Sequence, residues 1–532
     1  MVAAVRAGAD AGAPSRAAWA LLAFVLAAIF FWPLGAAPLF DVDEGAFAEA
    51  TREMISSGDW LHTTLNGADR FDKPILVYWL QAASILVLGK SDAAVRLPSA
   101  ICGFLWCVTV ARFAAPRFGG RAAWCAAAIL GTSVGVIAIG RAATADALLN
   151  LLLALAAFAL WRHVETGAKT PLRWAAFWAA LGILDKGPIA LLVPGGAIVV
   201  WAVLSREWKP IVRAVSDPLA WLILVGVAAP WYIYALHRHG QAFIDGFVMK
   251  HNVGRFTGTL EGHAGGPLYY AIALPLIALP WTPLLIALLP RLKRLWSEPV
   301  ARWLVCWSAF VLIFFSLSGT KLPHYMLYGY APLALLGGRL LADAPSRALR
   351  IALWTTFAAT LLVLCATPWI GMAIAARRAP GLYRSLIETA PAPSTVYAVY
   401  AVGAVVAAAL IAVIEWRPAT AAWPAAMRAP LGAAVVALFL VAAVVPWWGE
   451  TLQGPVRRLA DAARAASPGA PAGTQANVNL PSFGWYLDAP APHALPAPGG
   501  LGLYRLDRLK PGDADTPGAL LREERGLALG RR

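Results

Sequence analysis

Charged side chains are scarce in this chain of 532 residues: only 14% are Asp, Glu, Lys or Arg, while 60% are hydrophobic and the mean hydropathy is +0.64. A soluble protein of this length would carry more charge and fewer than the 24 tryptophans present here. Apolar runs such as 17–40, 122–139 and 351–376 reach or approach the ~20 residues that cross a bilayer. In lipid, backbone groups must pair within their own segment, so helices rather than open sheets follow. We therefore predict an all-α polytopic membrane protein.

Cysteines and cofactor motifs are scarce too. All five cysteines lie inside apolar stretches, which excludes a disulfide framework or a metal-ligand spacing and indicates small packed side chains. They are Cys102, Cys107, Cys125, Cys306 and Cys365. The sequence has no Walker or Rossmann-type motif and no internal repeat of the kind found in many transporters. A net charge of +15 would suggest nucleic acid in a soluble protein, but here we attribute it to cytoplasmic loops beside anionic lipid.

Apolar segments predict about thirteen membrane spans, of which 174–184 is short. The segments are 17–40, 93–111, 122–139, 147–161, 174–184, 187–204, 218–236, 267–290, 303–318, 325–342, 351–376, 395–416 and 430–448. Alternate loops carry clusters of Arg and Lys, which the positive-inside rule places in the cytoplasm together with the N-terminus. Residues 74–89 are also apolar, but a span there would turn later basic clusters outward. We expect this segment to lie at the membrane interface or to re-enter.

This topology divides the chain into a transmembrane module, 1–448, and a small outer segment, 449–532. The outer segment is rich in Pro, Ala and Gly, and we expect it to be loosely ordered. The first and fourth outer loops, 41–92 and 237–266, are long enough to roof a polar cavity that opens outward. Shorter outer loops place isolated charges against the spans, where charge is costly and marks functional pathways. These are Asp146, Lys186 and Lys321.

The first outer loop begins with carboxylates at the membrane surface. The sequence DEGAFAEATREM, residues 43–54, predicts a helix. On that helix Glu49, Arg52 and Glu53 are spaced so that they can pair on one face. These three residues could form a solvated salt bridge or have a functional role, and the sequence does not decide between the two. Asp43 stands at the helix start, where an N-cap role and a catalytic role both fit. Further along the loop, Asn66-Gly67 predicts a turn.

Residues in this loop and beyond it follow one order and spacing along the chain. They are Asp43-Glu44-x-x-Phe47-Ala48-Glu49, Arg52-Glu53-Met54, Gly58-Asp59-Trp60, Asn66-Gly67, Asp72-Lys73-Pro74, Tyr78-Trp79-Leu80, Arg96-Leu97-Pro98-Ser99, Asp146, Lys186-Gly187-Pro188, His251…Arg255-Phe256, Lys321-Leu322-Pro323-His324-Tyr325 and Pro481-Ser482-Phe483…Tyr486-Leu487. This pattern resembles the bacterial aminoarabinose lipid A transferases, relatives of the protein O-mannosyltransferases in the class C glycosyltransferase (GT-C) fold. The likeness covers most of residues 17–340 and weakens afterwards. The family usually has Glu where Asp72 stands, and Asp41, outside the pattern, is expected to be a solvated neighbour.

The resemblance implies inverting transfer of a sugar from a polyprenyl monophosphate, such as undecaprenyl phosphate, to an acceptor outside the cytoplasmic membrane. Negative charge develops on the departing phosphate, so cations aimed at it stabilise the transition state. The implied catalytic residues are Asp43, which would hold or deprotonate the acceptor, Asp146, which would orient acceptor or sugar, and Lys73 on the phosphate. If the acceptor is itself a phosphate, Asp43 need not act as a base. The implied donor-phosphate and substrate-binding residues are Glu44, Arg52, Asp72, Lys186, His251, Arg255, Lys321, His324 and Tyr325.

The resemblance leaves the substrates open, because pocket shape selects them. The sugar would be 4-amino-4-deoxy-L-arabinose or a hexose, and the acceptor lipid A or another lipid or glycan, with no nucleic-acid partner. Lys186 could equally serve a structural pairing near Asp185. We expect no cofactor, since Glu44, Asp72, His251 and His324 show no tight ligand spacing, although metal dependence stays open.

Two alternatives to this function stay open. One is an O-glycosyltransferase of the same fold that acts on protein or surface glycan. The other is a lipid or glycan transporter, whose charges would lie near the bilayer midplane rather than at one face. The expected location is the bacterial inner membrane, with the N-terminus in the cytoplasm and the active site and C-terminus in the periplasm.

Overall fold

The computed structural model of the chain describes residues 13–259, 262, 264–266, 268–343, 345–377, 381–416, 425–467, 472–509 and 516–532. Within these ranges, seven helices are long and apolar enough to cross a membrane. They are Asp92–Phe118, Asp146–Thr166, Pro218–His239, Pro299–Leu317, Arg347–Ala375, Thr395–Val413 and Arg428–Leu452. An eighth span is counted if Gly120–Thr132 and Val134–Arg141, bent by 65° from each other, are taken together. The number of about thirteen spans stays a prediction.

The remaining secondary structure consists of shorter helices, 3₁₀ and π turns, and a few strands. The α-helices are Arg16–Phe31, Asp43–Ser57, Leu76–Leu88, Asp92–Thr132 (interrupted at Gly119), Val134–Arg141, Asp146–Thr166, Lys169–Lys186, Ile189–Ser205, Lys209–Val215, Pro218–His239, Gln241–Phe243, Arg255–Thr257, Tyr269–Ile277, Thr282–Leu288, Leu292–Trp296, Pro299–Leu317, Tyr330–Ala342, Arg347–Ala375, Leu382–Glu388, Thr395–Trp416, Ala425–Phe439, Val445–Leu452, Gly454–Ala466 and Ser482–Leu487. The 3₁₀ turns are Leu289–Arg291, Pro323–Gly329 and Leu506–Arg508, and the π-helices are Ile244–Gly254 and Leu440–Val444. The strands are Thr64–Leu65, Ala68–Asp69, Thr474–Gln475, Leu501–Arg505, Ala519–Glu524 and Leu527–Arg531.

Proline shortens two of the expected spans. The first apolar helix ends at Phe31, because a residue that precedes proline, here Trp32, is biased away from the α conformation. Residues 267–290 do not form the continuous span that we expected. They form two short helices, Tyr269–Ile277 and Thr282–Leu288, since Pro280 cannot donate the backbone hydrogen bond that would continue the first one. The expectation of one unbroken helix over 17–40 and over 267–290 is therefore wrong.

The apolar segment 74–89 forms the helix Leu76–Leu88, which has 13 residues. At a rise of about 1.5 Å per residue it is about 20 Å long, too short for a hydrocarbon core of about 30 Å. Val77, Tyr78 and Ala82 are buried on its inner face, where they pack with Phe47 of the preceding helix. This length agrees with the prediction that the segment does not span the membrane.

The described parts of the segment 449–532, residues 449–467, 472–509 and 516–532, are folded, so the expectation of a loosely ordered tail is wrong for them. Its four strands form one sheet in the order Thr474–Gln475, Leu501–Arg505, Leu527–Arg531 and Ala519–Glu524. The first pair is parallel and the other pairs are antiparallel. Apolar strand residues pack in one cluster with the helix Gly454–Ala466. The fold as a whole is thus helical with this small added sheet, which the Pro, Ala and Gly-rich composition concealed.

The first outer loop folds into the predicted helix, Asp43–Ser57, and a hairpin at Asn66-Gly67. Both turn residues have positive φ, 57° and 79°, which is the type I′ geometry that Asn-Gly favours. The helix packs against Ser482–Leu487 of the C-terminal segment. The first outer loop and the C-terminal segment are therefore in direct contact.

Candidate active site

A cavity of about 350 Å³ lies where the first and fourth outer loops approach the ends of several apolar helices. Its walls differ in character: one part is charged and polar, and the other is aromatic and aliphatic. The polar part includes Asp72, Lys73, Lys186, His251, Asn252, Arg255, Ser318, Tyr325 and Tyr328. The apolar part includes Ile189, Leu192, Phe247, Phe256, Phe314 and Phe315. Such a cavity suits a ligand with an anionic head and an apolar chain.

Asp72 is the centre of a cluster of cations on one side of the cavity. Its Oδ1 lies 2.6 Å from Lys73 Nζ, 3.0 Å from His251 Nδ1 and 3.8 Å from Arg255 Nη2. Its Oδ2 accepts a hydrogen bond from Arg70 Nη2 at 3.1 Å. Burial alone would raise the pKa of Asp72, but the adjacent Lys73, His251 and Arg70 hold it well below its usual range. The carboxylate thus gathers side chains from the first and fourth outer loops.

Asp146, in the first turn of its helix, binds two residues of the cavity wall, Lys186 and Tyr328. Its Oδ1 accepts a hydrogen bond from Lys186 Nζ at 2.5 Å and from Tyr328 Oη at 3.1 Å. His324 Nε2 lies 3.6 Å from the same oxygen. Tyr325 and Tyr328 are three residues apart on a 3₁₀ turn, where side chains at i and i+3 share a face, and both line the cavity. The isolated charges predicted against the spans, Asp146 and Lys186, therefore meet.

Asp43 is the first residue of the outer helix, and its carboxylate makes no capping bond, because the N-cap position is Val42. The N-cap role that its position allowed is not the one observed. Asp43 reaches the protein surface, but its surroundings are enclosed enough that loss of water raises the pKa of the carboxyl. The nearby charges of Asp146 and Asp72 raise this pKa further. A raised pKa makes a carboxylate a stronger base, which suits it to accept a proton.

Glu44 and Arg52 do not reach the cavity, which corrects their expected part in substrate binding. Glu44 is buried in a bidentate ion pair with Arg96, at 2.8 and 2.7 Å. Arg52 forms two hydrogen bonds to Glu49, at 2.8 and 2.7 Å, on the outer helix. The salt bridge between Arg52 and Glu49 is the one that the helical spacing allowed, and the Glu49 carboxylate is buried rather than solvated.

Lys321 is not among the residues that line the cavity with Lys73, Lys186 and Arg255. Its ammonium group is buried and donates to the carbonyl oxygen of Ser318 at 2.5 Å, and Lys321 does not line the cavity. Arg255, by contrast, lines the cavity and donates to Tyr325 Oη at 3.4 Å. Of the cations expected to bind the phosphate or the substrate, Lys73, Lys186 and Arg255 line this one cavity.

Sequence reasoning missed three contacts of these residues. Arg70 donates a hydrogen bond to Asp72. Its position two residues before Asp72 in the sequence could have indicated this contact. Tyr328 supports Asp146, and only the 3₁₀ geometry shows that it shares a face with Tyr325. Asp41 is not solvated: it accepts hydrogen bonds from the amide of Ser482, at 2.9 Å, and from its hydroxyl. That contact joins residues 441 positions apart, so no local pattern could reveal it.

Comparison with known proteins places this geometry in context. The family model described as dolichyl-phosphate-mannose-protein mannosyltransferase matches residues 72–234. The curated undecaprenyl phosphate-alpha-4-amino-4-deoxy-L-arabinose arabinosyl transferase 2 of Sodalis glossinidius is 33% identical over 339 residues, 62% of this chain and 60% of the relative. The corresponding transferase of Aeromonas hydrophila is 33% identical over 63% of this chain and 62% of its own length. The alignments with these relatives thus span about three fifths of their length.

A solved structure extends the likeness to the whole fold. ArnT from Cupriavidus metallidurans bound to undecaprenyl phosphate superimposes with a TM-score of 0.78, at 18% identity, over 97% of this chain and 98% of that one. Its apo structure gives a TM-score of 0.77. The resemblance to the aminoarabinose lipid A transferases that the sequence predicts is therefore confirmed, and the chain has the GT-C fold of these membrane proteins.

Proposed function

We propose that this chain is an integral membrane glycosyltransferase that moves a sugar from a polyprenyl monophosphate to lipid A or another acceptor, with inversion. The relatives' names specify an undecaprenyl-phosphate-linked aminoarabinose donor, and the Cupriavidus structure holds undecaprenyl phosphate. The single observation that carries the proposal is the meeting of Lys73, Lys186 and Arg255 in one amphipathic cavity.

The charges around the cavity favour an anionic ligand. Four cations, Arg70, Lys73, Lys186 and Arg255, face three carboxylates, Asp43, Asp72 and Asp146. A donor phosphodiester carries one negative charge, which balances this set. When the bond from sugar to phosphate breaks, the leaving phosphate gains negative charge. Fixed cations in a water-poor cavity then stabilise the transition state more than the ground state.

The carboxylates have separate tasks in this proposal. Asp43, whose pKa is raised, holds the acceptor and takes its proton when the acceptor is a hydroxyl. Asp146 is a positioning residue, because it holds Lys186 and Tyr328 at the cavity wall. Asp72 positions Lys73, His251 and Arg255 in the same way.

The membrane arrangement belongs to the same proposal. The N-terminus lies in the cytoplasm, and the cavity and the folded C-terminal segment lie on the periplasmic side of the inner membrane. The positive-inside distribution of Arg and Lys supports this arrangement. A lipid-linked donor and a membrane-embedded acceptor can both reach a cavity at that surface.

The test is transfer by the purified protein in detergent, with undecaprenyl-phosphate-linked aminoarabinose as donor and lipid A as acceptor. Mass spectrometry would follow the modified lipid A and the released undecaprenyl phosphate. Removing one preorganised charge-stabilising group from an active site costs about 10²–10³ in rate. We therefore expect Lys73→Met to lower kcat by that factor and Asp43→Asn to abolish transfer.

Lys250→Met is the matched control, because Lys250 is an exposed lysine next to His251 that does not line the cavity. It should transfer at the wild-type rate. Full activity of Lys73→Met, or equal losses in both lysine variants, would contradict the proposed site. Offering peptide and other glycan acceptors in the same assay separates lipid A transfer from protein or surface-glycan glycosylation. Movement of lipid without a new glycosidic bond would indicate a transporter.

A further inference from the structure

A second group of ligand-type side chains lies outside the cavity, between the first and fourth outer loops. It consists of His62, Asp69 on the second hairpin strand, and His239, the last residue of the helix Pro218–His239. One ligand atom from each of the three lies within 4.8 Å of the other two. Among the described residues, this is the one set of three His, Cys, Asp or Glu side chains that meets that distance.

The distances within the group suit a divalent cation. His62 Nε2 lies 3.0 Å from Asp69 Oδ1, and His239 Nδ1 lies 3.8 Å from Asp69 Oδ2. The centroids of the two imidazole rings are 4.3 Å apart, and the ring planes are tilted by 32°. Zinc bound to nitrogen and oxygen at about 2.0–2.2 Å places neighbouring ligand atoms about 3.3 Å apart in a tetrahedron. Small rotations of the side chains would bring all three atoms to that spacing.

Burial argues against an ordinary surface salt bridge. The side chains of His62 and His239 are 9% and 11% exposed, while Asp69 is 55% exposed. His239 makes no hydrogen bond through Nδ1, since 3.8 Å is too long, and its Nε2 is buried without a hydrogen-bond partner among the described residues. Phe71 packs against both rings, with centroids 6.3 Å from His62 and 5.1 Å from His239. The two histidines share a single carboxylate, so the ring nitrogens of His239 have no hydrogen-bond partner among the described residues. Buried polar atoms normally have one, and a bound cation would supply it for the nitrogen that faces Asp69.

The surrounding contacts hold the group in place and leave its charge available. Trp231 Nε1 donates to the carbonyl oxygen of Leu61 at 3.0 Å, which fixes the residue before His62 to the helix that carries His239. Arg238 is already paired with Asp59, at 2.7 Å, so the nearest cation is neutralised. The group offers imidazole nitrogens from two histidines and one carboxylate, a ligand set that zinc accepts.

We propose that His62, Asp69 and His239 bind a zinc-class divalent cation that ties the first outer loop to the start of the fourth. The exposed side of Asp69 leaves one position for water. Asp69 precedes Asp72 and Lys73 by a few residues, and His239 leads into the segment with His251 and Arg255. The ion therefore positions the two loops whose side chains meet at Asp72. Binding of the ion does not depend on the proposed function, whereas its effect on sugar transfer does.

The test measures zinc in the full-length protein, purified without a histidine tag and dialysed after exposure to Zn²⁺. We expect one retained Zn²⁺ more in the wild type than in the double variant His62→Ala/His239→Ala. His237→Gln is the matched control, since His237 is an exposed histidine on the same helix, and it should retain the ion. Zinc should raise the melting temperature of the wild type and of His237→Gln but not that of the double variant.

Co²⁺ and a conservative variant keep the test decisive if the double variant folds poorly. His239→Gln should fold and yet lose the visible absorption bands of tetrahedral Co²⁺ that the wild type shows. His251→Gln, which removes a histidine from the cavity, should keep those bands. Equal zinc content in the wild type and the double variant, or loss of the ion in His251→Gln instead of His239→Gln, would overturn the proposal.

Discussion

The buried pair of Glu44 and Arg96 yields the sharpest prediction, because sequence reasoning and structure assign Glu44 different roles. All four lone-pair positions of the carboxylate are used: Oε1 accepts from Arg96 Nε and the amide of Ala143, and Oε2 accepts from Arg96 Nη2 and the amide of Phe40. The other N–H groups of Arg96 donate to backbone carbonyls between residues 34 and 38. Glu44 therefore has no remaining capacity to bind a substrate.

Removing one partner of a buried ion pair costs about 3–5 kcal/mol, because the other charge stays buried without compensation. Both side chains are about 5% exposed, so solvent cannot replace the lost partner. We expect Glu44→Ala to lower the free energy of unfolding by this amount. At about 2 °C per kcal/mol, the lower value for larger domains, the Tm falls by about 6–10 °C.

The assay is thermal unfolding in detergent, with transfer measured at a temperature where each variant is folded. Glu44→Gln keeps the shape of the side chain but presents an amide N–H₂ to other donors, so it should also be destabilised. The double variant Glu44→Leu/Arg96→Met should be more stable than Glu44→Leu or Arg96→Met alone, since each single variant leaves one charge buried without its partner. A Glu44→Gln protein with wild-type Tm and no transfer would refute this reasoning and return Glu44 to the substrate site.

Three further predictions concern the charges around the cavity and its roof. Asp146→Asn and Lys186→Met should each lower the rate of transfer by about 10²-fold or more. The double variant should be only slightly slower than either single variant, because the two side chains are bonded to each other and act as one unit. Additive losses in kcat would contradict this. Lys321→Met should lower the free energy of unfolding by about 1–3 kcal/mol, because the carbonyl oxygen of Ser318 loses its hydrogen bond. The rate of sugar transfer should stay nearly unchanged. A fall in kcat as large as that of Lys73→Met would place Lys321 at the donor phosphate. Burial raises the pKa of Asp41 from its ordinary value of 3.8 to about 7, so between these pH values the native protein keeps a proton that the unfolded chain releases. The stability contribution is present below pH ~4 and is lost as the pH rises to about 7, and Asp41→Asn should reduce this slope of Tm against pH; an unchanged slope would contradict the assignment.

The fold could be predicted from the sequence wherever a local pattern carries the physics. Apolar length, scarce charge and the distribution of Arg and Lys indicated a polytopic helical protein, and Asn66-Gly67 indicated its hairpin. The pattern failed where proline competes with hydrophobicity, as at Pro280, because hydropathy does not register a missing backbone donor. It also failed in 449–532, where short strands become stable only when they pack against the helix Gly454–Ala466.

The candidate site was predictable in part for the same reason. The order of Asp43, Asp72-Lys73, Asp146, Lys186 and His251…Arg255 indicated chemistry at the outer surface, and the structure gathers most of these residues around one cavity. The motif could not separate a residue that faces the cavity from one that faces the core. Glu44 and Arg52 share the helix with Asp43 and point to other partners.

By itself, the sequence determined the class of protein and the set of charged residues, because these follow from composition and from spacing along the chain. Only the tertiary structure decided which charges act together. Lys186 meets Asp146 across 40 residues, and Asp41 meets Ser482 across 441. The physical reason is that an ion pair or hydrogen bond depends on distances of about 3 Å. Such distances between remote segments are set by the packing of helices, which no local pattern records.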